Sequence, residues 1–318
     1  MISFQYLHLD IDTIDTHSFA FSYPYGPSRE LTESIRRAGV LTPLLVLGEN
    51  DTYRLFDGHR RLQAARETSL PQVPVAVLAT KPPLELFSLW IESQRAHRLL
   101  NPFEIAALVQ DGPAVFRIPR EQFLSLLAKE TQRLSPSLLP SLPKILSLPE
   151  RLKREAVQRN YGAPFLVKIV KTFPSELLAE ISQILETISL SENQMDQLLS
   201  WLDEIAKRDR LTPSKVVKRD PLPFILKHPK MPTAKKRDAF LKAVLMMRFP
   251  QRAKFDTAIR EIRQKIETTG NLRLLPPPEL AGDRFELRVA FRDVKELETS
   301  LRRIAAFYKE IDSLTKLI

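Results

Sequence analysis

The sequence predicts an α+β protein: a small mixed sheet at the N-terminus, an all-helical middle and a small α+β C-terminal domain. Three observations lead there. Short apolar runs alternate with helix-period segments over residues 1–100, and the pattern turns almost wholly helical from Asn101 to about Ala206. Two alternating runs then precede a heptad-patterned final helix. The domains so read are 1–100, 101–206 with a helix-turn-helix-like region, a basic linker over 207–233, and 234–318.

Each element has its own signal. ISFQYLHL, LTPLLVLG, YRLF and VPVAVL read as strands, LTESIRRAG as a helix closing at Gly39, and HRRLQAARE as a second helix. Asn101-Pro102-Phe103-Glu104 combines a cap, a proline at the first helical position and an acid at the third, and Ser191 with Gln194 repeats that logic. Prolines at 136, 140, 143, 149, 164 and 174 punctuate the helices between. One short helix is expected after Thr212, then helices over 234–248 and 251–269, the latter stopped by Gly270. NLRLL and RFELRVAF read as paired strands, with Phe285, Leu287, Val289 and Phe291 on one face toward a core. The last helix, from Asp293, places Val294, Leu301 and Tyr308 at one heptad position and Leu297, Ile304, Ile311 and Ile318 at the other. Both a dimer seam and packing on its own two strands fit that pattern.

Composition narrows the chemistry. The 318 residues contain no cysteine, which removes disulfides, thiolate catalysis and cysteine-bound zinc. The five histidines show no metal-ligand spacing, and no GxxxxGK[ST] or GxGxxG is present. The acidic MISFQYLHLDIDTIDTH is unlike a signal peptide and no apolar run has membrane-spanning length, so a cytoplasmic protein without membrane contact is expected. The net charge of +10 is local: residues 1–205 are slightly acidic, whereas 206–254 hold 15 bases and 3 acids. Such density is the footprint of a polyanion, and Lys207, Arg208, Arg210, Lys215, Lys218, Arg219, Lys235, Lys236 and Arg237 are the candidate contacts to a DNA backbone.

The stretch LFDGHRRLQAARE carries the main candidate site. A strand runs through Asp57 into Gly58, and the helix beginning at His59 exposes backbone N–H groups that have no carbonyl partner. Those donors and the positive end of the helix dipole favour an anion, and glycine lets it approach the backbone. Arg60 and Arg61 are electrostatically misplaced there unless an anion sits between them, so the cluster points to phosphate.

LTESIRRAGVLTPLLVLGENDTYRLFDGHRRLQAARETSLPQVPVAVL, followed by LWIESQRAHRLLNPFEIAALVQ, resembles the N-terminal domain of the ParB partition family. The similarity covers roughly residues 1–175, is strong over 31–106 and weak over 112–145. It implies a ParB/sulfiredoxin-like N-terminal fold that binds CTP with Mg2+, a helical domain that reads DNA, a dimerising C-terminal domain and a partition ATPase as partner. Carried over by motif, Gly58, His59, Arg60, Arg61 and Arg95 would hold phosphates, Pro43, Leu44 and Leu45 would line the nucleobase pocket, and Glu92 with Ser93 would approach the metal. Glu92 is also the candidate catalytic residue. Ser93 stands where the family has asparagine, which puts metal-assisted CTP hydrolysis in doubt, and His59 replaces a glutamate. In the expected DNA-reading helix Pro140 and Pro143 oppose helix formation, and Lys144 is its only base. Sulfiredoxin chemistry needs a cysteine this chain lacks. Two other readings stay open: a small-molecule phosphotransferase, for which Asp57-Gly58-His59-Arg60-Arg61 would serve and Glu92 would be the general base, and a degenerate interaction module that binds no nucleotide.

Overall fold

The computed structural model describes residues 4–17, 19–21, 26–49, 52–95, 98–131, 134–267, 271–275, 285–309 and 312. Two compact units make up the chain, residues 1–199 and 200–318.

The N-terminal unit opens with β1 (Gln5–Asp10) and the short β2 (Ile14–Asp15), then α1 (Arg29–Ala38), β3 (Leu44–Glu49), β4 (Thr52–Asp57), α2 (His59–Glu67) and β5 (Gln72–Ala79). The five strands form one mixed sheet in the order β1-β5-β3-β4-β2. β3 and β4 are antiparallel, and β3 and β5 parallel. Alternation gives the sheet two apolar faces. Leu44, Val46, Leu55, Val73 and Val75 pack with Ile35 of α1 and with Leu62, Ala64 and Ala65 of α2. Phe56 points the other way and meets Phe19 edge-on at 5.1 Å.

That second face continues into helices α3 (Pro83–Arg95), α4 (Pro102–Val115) and α5 (Arg120–Glu130). Phe19 and Phe87 both meet Phe116, just after α4, and Phe87 meets Phe123 of α5 at 4.8 Å. A sequence boundary drawn at residue 100 therefore crosses a shared aromatic cluster. Gly112 makes this packing possible, because a Cβ there would lie 2.3 Å from the Phe123 ring. The cap read at Asn101 forms as a reciprocal box with Glu104.

Beyond α5 the two prolines have a visible effect. Leu139–Ser147 is a 3-10 helix, and Leu139, Leu142 and Ile145 are its buried residues. Apolar positions three apart suit three residues per turn, whereas prolines deny an α-helix its donors. Helices α6 (Glu150–Gln158), α7 (Ala163–Thr172), α8 (Ser175–Ile184) and α9 (Glu192–Asp209) follow. Buried Glu155 accepts from the Leu190 amide, and the expected Ser191–Gln194 exchange is present.

In the C-terminal unit α10 (Pro213–Val217), capped by Thr212, and α11 (Leu222–Lys227) occupy the stretch expected as a linker with one helix. Then come α12 (Thr233–Arg248), α13 (Pro250–Ile266), β6 (Leu272–Leu275), β7 (Glu286–Val289) and α14 (Val294–Ala306). β6 and β7 pair antiparallel, and Ile259, Ile262, Leu272 and Leu274 form a core with Phe285, Val289, Ile304 and Phe307 against it. Leu287 and Phe291 depart from expectation and stay exposed. The two heptad positions split likewise: Ile304 packs inward, while Val294, Leu301 and Tyr308 face solvent. Ile311 and Ile318 lie outside the described residues.

Candidate functional site

The β3–β4 hairpin builds the site. Its register sets Leu45 opposite Asp57, with a bulge between Leu45 and Val46. Pro43-Leu44-Leu45 and Asp57-Gly58 are therefore neighbours although a dozen residues separate them. Gly58 leaves β4 at φ 106°, ψ 19° and caps α2. A Cβ at that position would fall 2.7 Å from Leu44 Cδ2 and 3.2 Å from Arg61 Nη2, so glycine is required both by conformation and by space. Leu44 itself is a core residue with no exposed surface, whereas Pro43 and Leu45 are half-buried.

Neither arginine at the start of α2 runs free into solvent. Arg61 Nη1 donates to the carbonyls of Thr42 and Pro43, both at 2.7 Å, and Nη2 lies 3.4 Å from Asp57. Burial lowers the Arg61 pKa and Asp57 opposes that shift. Arg60 Nε donates to the Gly26 carbonyl at 3.2 Å. His59 is held mostly out of water, and its Nε2 is buried without a hydrogen-bond partner among the described residues. Its pKa is lowered, first by burial, against the pull of Asp57 and a hydrogen bond to the Thr16 backbone.

The last turn of α3 sends neighbouring side chains to different places. Gln94 Nε2 donates to Asp57 Oδ1 at 3.2 Å and so reaches the Gly58 turn. Ser93 Oγ donates back to the Trp90 carbonyl at 2.8 Å. Arg95 turns to α5, pairing with Glu130 Oε2 at 2.7 Å and donating to the Glu130 carbonyl at 2.6 Å, with Glu92 3.5 Å away. It lines a cavity of about 710 Å³ together with Leu99, Asn101, Glu130, Asn160 and Tyr161. That cavity does not include Gly58, Arg60 or Arg61. The structure thus joins Pro43, Leu45, Gly58, Arg60 and Arg61 in one place and puts Glu92 and Arg95 in another. Gln94, which the sequence reading passed over, connects α3 to the turn through Asp57. Gln94 could have been found as the one amide adjoining the serine of ESQRAHR.

Residues 8–93 match the family model of the ParB N-terminal domain. The chain therefore carries a ParB N-terminal domain over that stretch. It is 31% identical over 125 residues to the chromosome-partitioning protein ParB of Myxococcus xanthus, covering 39% of this chain and 40% of that one. It is 24% identical over 192 residues to a nucleoid occlusion protein of Bacillus cereus, covering 60% of this chain and 64% of that one. The matched region thus spans from 40% to 64% of these relatives' own length. Among solved structures, C-terminally truncated ParB of Caulobacter crescentus complexed with CTP-γ-S matches at 23% identity and a TM-score of 0.25, over 56% of this chain and 98% of that one. The match ends one residue before Gln94, within α3.

The basic tract divides into paired and free cations. Lys207 pairs with Asp203, Arg208 and Arg219 with Asp209, and Arg237 with Asp238. Two bonded arginines hold the Asp209 carboxyl down at a pKa of about 2. Lys236 donates to the Leu226 carbonyl at 3.1 Å. Arg210, Lys215, Lys218 and Lys235 are exposed, with no ion pair among the described residues, and the same holds for Lys227, Lys230 and Lys242. No helix among the described residues is long and apolar enough to cross a membrane, and no three His, Asp or Glu side chains there group as a metal site.

Proposed function

We propose that this chain is a cytoplasmic, dimeric nucleotide- and DNA-binding protein of the partition type, which holds CTP at the Gly58 turn and grips DNA through its C-terminal unit. The observation that carries the reading is the convergence of the Pro43–Leu45 strand, the left-handed Gly58 and the open N-terminus of α2 in one hairpin register. Phosphate oxygens meet backbone N–H groups and the positive end of the helix there. Arg60 supplies charge, and Arg61 ties the strand carbonyls to the turn so that the cradle keeps its shape. Gln94 braces the turn from α3 through Asp57, whereas the Ser93 hydroxyl turns back on its own helix.

Glu92 and Ser93 do not fit a Mg2+ site as they stand. The serine hydroxyl is bonded to its own helix, and the Glu92 side chain, 70% exposed, leans on Arg95. The reading is therefore of a nucleotide held as a switch, and the phosphotransferase alternative loses its general base for the same reason. Free lysines of α10, α11 and α12 contact DNA phosphates without reading bases. Dimerisation uses the outward Val294 and Leu301 of α14 together with exposed Tyr308 just beyond its end. A partition ATPase is the partner that the resemblance to ParB implies.

Thermal melting of the full chain with CTP, ATP or GTP tests the site, since a ligand of the native state raises the midpoint. CTP alone should raise it. A rise with ATP accompanied by phosphate transfer would establish the phosphotransferase, and no rise with any nucleotide would leave the interaction module.

A further inference from the structure

Within the basic tract one feature does not serve contacts to phosphate. Phe224 sits in the middle of α11 and is 69% exposed, although the same short helix buries Leu222 completely. The helix is fixed beneath it: Leu222 enters the core, and Lys236 of α12 donates to the Leu226 carbonyl at 3.1 Å. Positions 224, 227 and 228 lie one turn apart, so Phe224 shares its face with exposed Lys227 and with His228, whose ring it meets edge-to-face at 5.9 Å. Exposed Lys218 and Lys230 flank the helix in sequence. Phe249, the other exposed phenylalanine of the tract, carries the Arg248 guanidinium 4.8 Å from its ring centre and is to that extent already covered.

We propose that the α11 face formed by Phe224, Lys227 and His228 is a stacking site for an unpaired nucleobase, giving the C-terminal unit affinity for single-stranded nucleic acid. This rests on the reading that the unit binds a polyanion. Charge complementarity selects the occupant: a phenyl ring among lysines suits a ligand that is flat, apolar and linked through phosphates. A duplex hides the faces of its bases in its own stack and offers lysines only phosphates, whereas a single strand presents both. Stacking on an aromatic ring tolerates any base, so the site needs no base-edge donors, and none is required of α11.

Fluorescence anisotropy of the full chain with labelled oligothymidylate and with a duplex of equal length tests this. Phe224→Ala should weaken oligothymidylate binding about 5- to 100-fold, the range of one base–aromatic stack, and leave duplex binding within about twofold. Phe224→Trp should retain or strengthen it, which excludes a folding defect as the cause. Equal losses on both ligands, or no loss on oligothymidylate, would overturn the stacking site while leaving the basic unit a phosphate binder. Phe224-dependent capture of polyglutamate with no such dependence for oligothymidylate would overturn it in favour of an acidic peptide. If the wild-type chain binds neither nucleic acid even at low salt, the polyanion reading itself has failed and the stacking site with it.

Discussion

Gly58 is the residue whose replacement the site tolerates least. Its φ of 106° disfavours any side chain, and Leu44 blocks the space a Cβ would fill. Gly58→Ala should cost about 2–4 kcal/mol of stability, read from the urea midpoint, and should abolish nucleotide binding. Arg61 and Arg60 separate two roles that adjacent guanidinium groups in a sequence cannot reveal. Arg61→Ala deprives two carbonyls of this donor and leaves Asp57 with Gln94 as its donor, and should destabilise the fold by about 1–3 kcal/mol, whereas Arg60→Ala should leave the midpoint nearly unchanged. His59 adds a pH dependence. Its folded pKa lies below the ordinary imidazole value, so as pH falls through about 6.5 the unfolded chain takes up the proton first and stability declines; above that range the contribution is fully present. Urea midpoints at about pH 7.5 and about pH 5.5 should show this decline, and His59→Gln should reduce it. Bound phosphate raises the imidazole pKa, so nucleotide affinity should change in the opposite direction and strengthen toward the lower pH.

At the scale of elements, α3 links the turn to the helices after it. Gln94 touches Asp57 at one position and Arg95 holds Glu130 at the next, so a ligand that draws on Arg95 must first break its bond to α5. Removing that competitor with Glu130→Ala should tighten nucleotide binding about 2- to 5-fold if Arg95 reaches phosphate, as titration would show; unchanged affinity would assign Arg95 to the α5 contact alone. Local signals were legible in the sequence. The Asn101 cap, the Ser191–Gln194 exchange and the Gly39 stop depend on residues within one turn of each other, and all form as read. The direction of Arg61 was not legible, because its acceptors lie 18 and 19 residues away across a hairpin whose bulge no local pattern announces. Gln94 was obscured by its neighbours, since attention to Ser93 and Arg95 presumed that those side chains face the turn. The 3-10 segment at 139–147 carried a three-residue apolar period in plain view, yet its prolines drew the reading toward a broken helix.

At the scale of the molecule, the two units carry different candidate surfaces. The N-terminal unit carries the nucleotide candidate, and free cations and an exposed α14 stripe belong to the C-terminal one. Because four candidate contacts are spent on aspartates, DNA affinity should depend on salt less steeply than the raw count of bases implies. A log–log slope of about −4 to −6 follows from the exposed lysines and Arg210 that have no ion pair among the described residues. The α14 stripe predicts self-association: Leu301→Glu should shift the mass in sedimentation equilibrium toward the monomer while leaving melting nearly unchanged, because Leu301 is 53% exposed. The claim on which the rest depends is that the turn at Gly58 holds a cytidine nucleotide. Calorimetric titration of CTP into the wild-type chain and into Arg60→Ala tests it most directly: saturable binding that the variant weakens about 10-fold or more is the predicted result, and equal affinity in both, or no binding heat from the wild type, would contradict it.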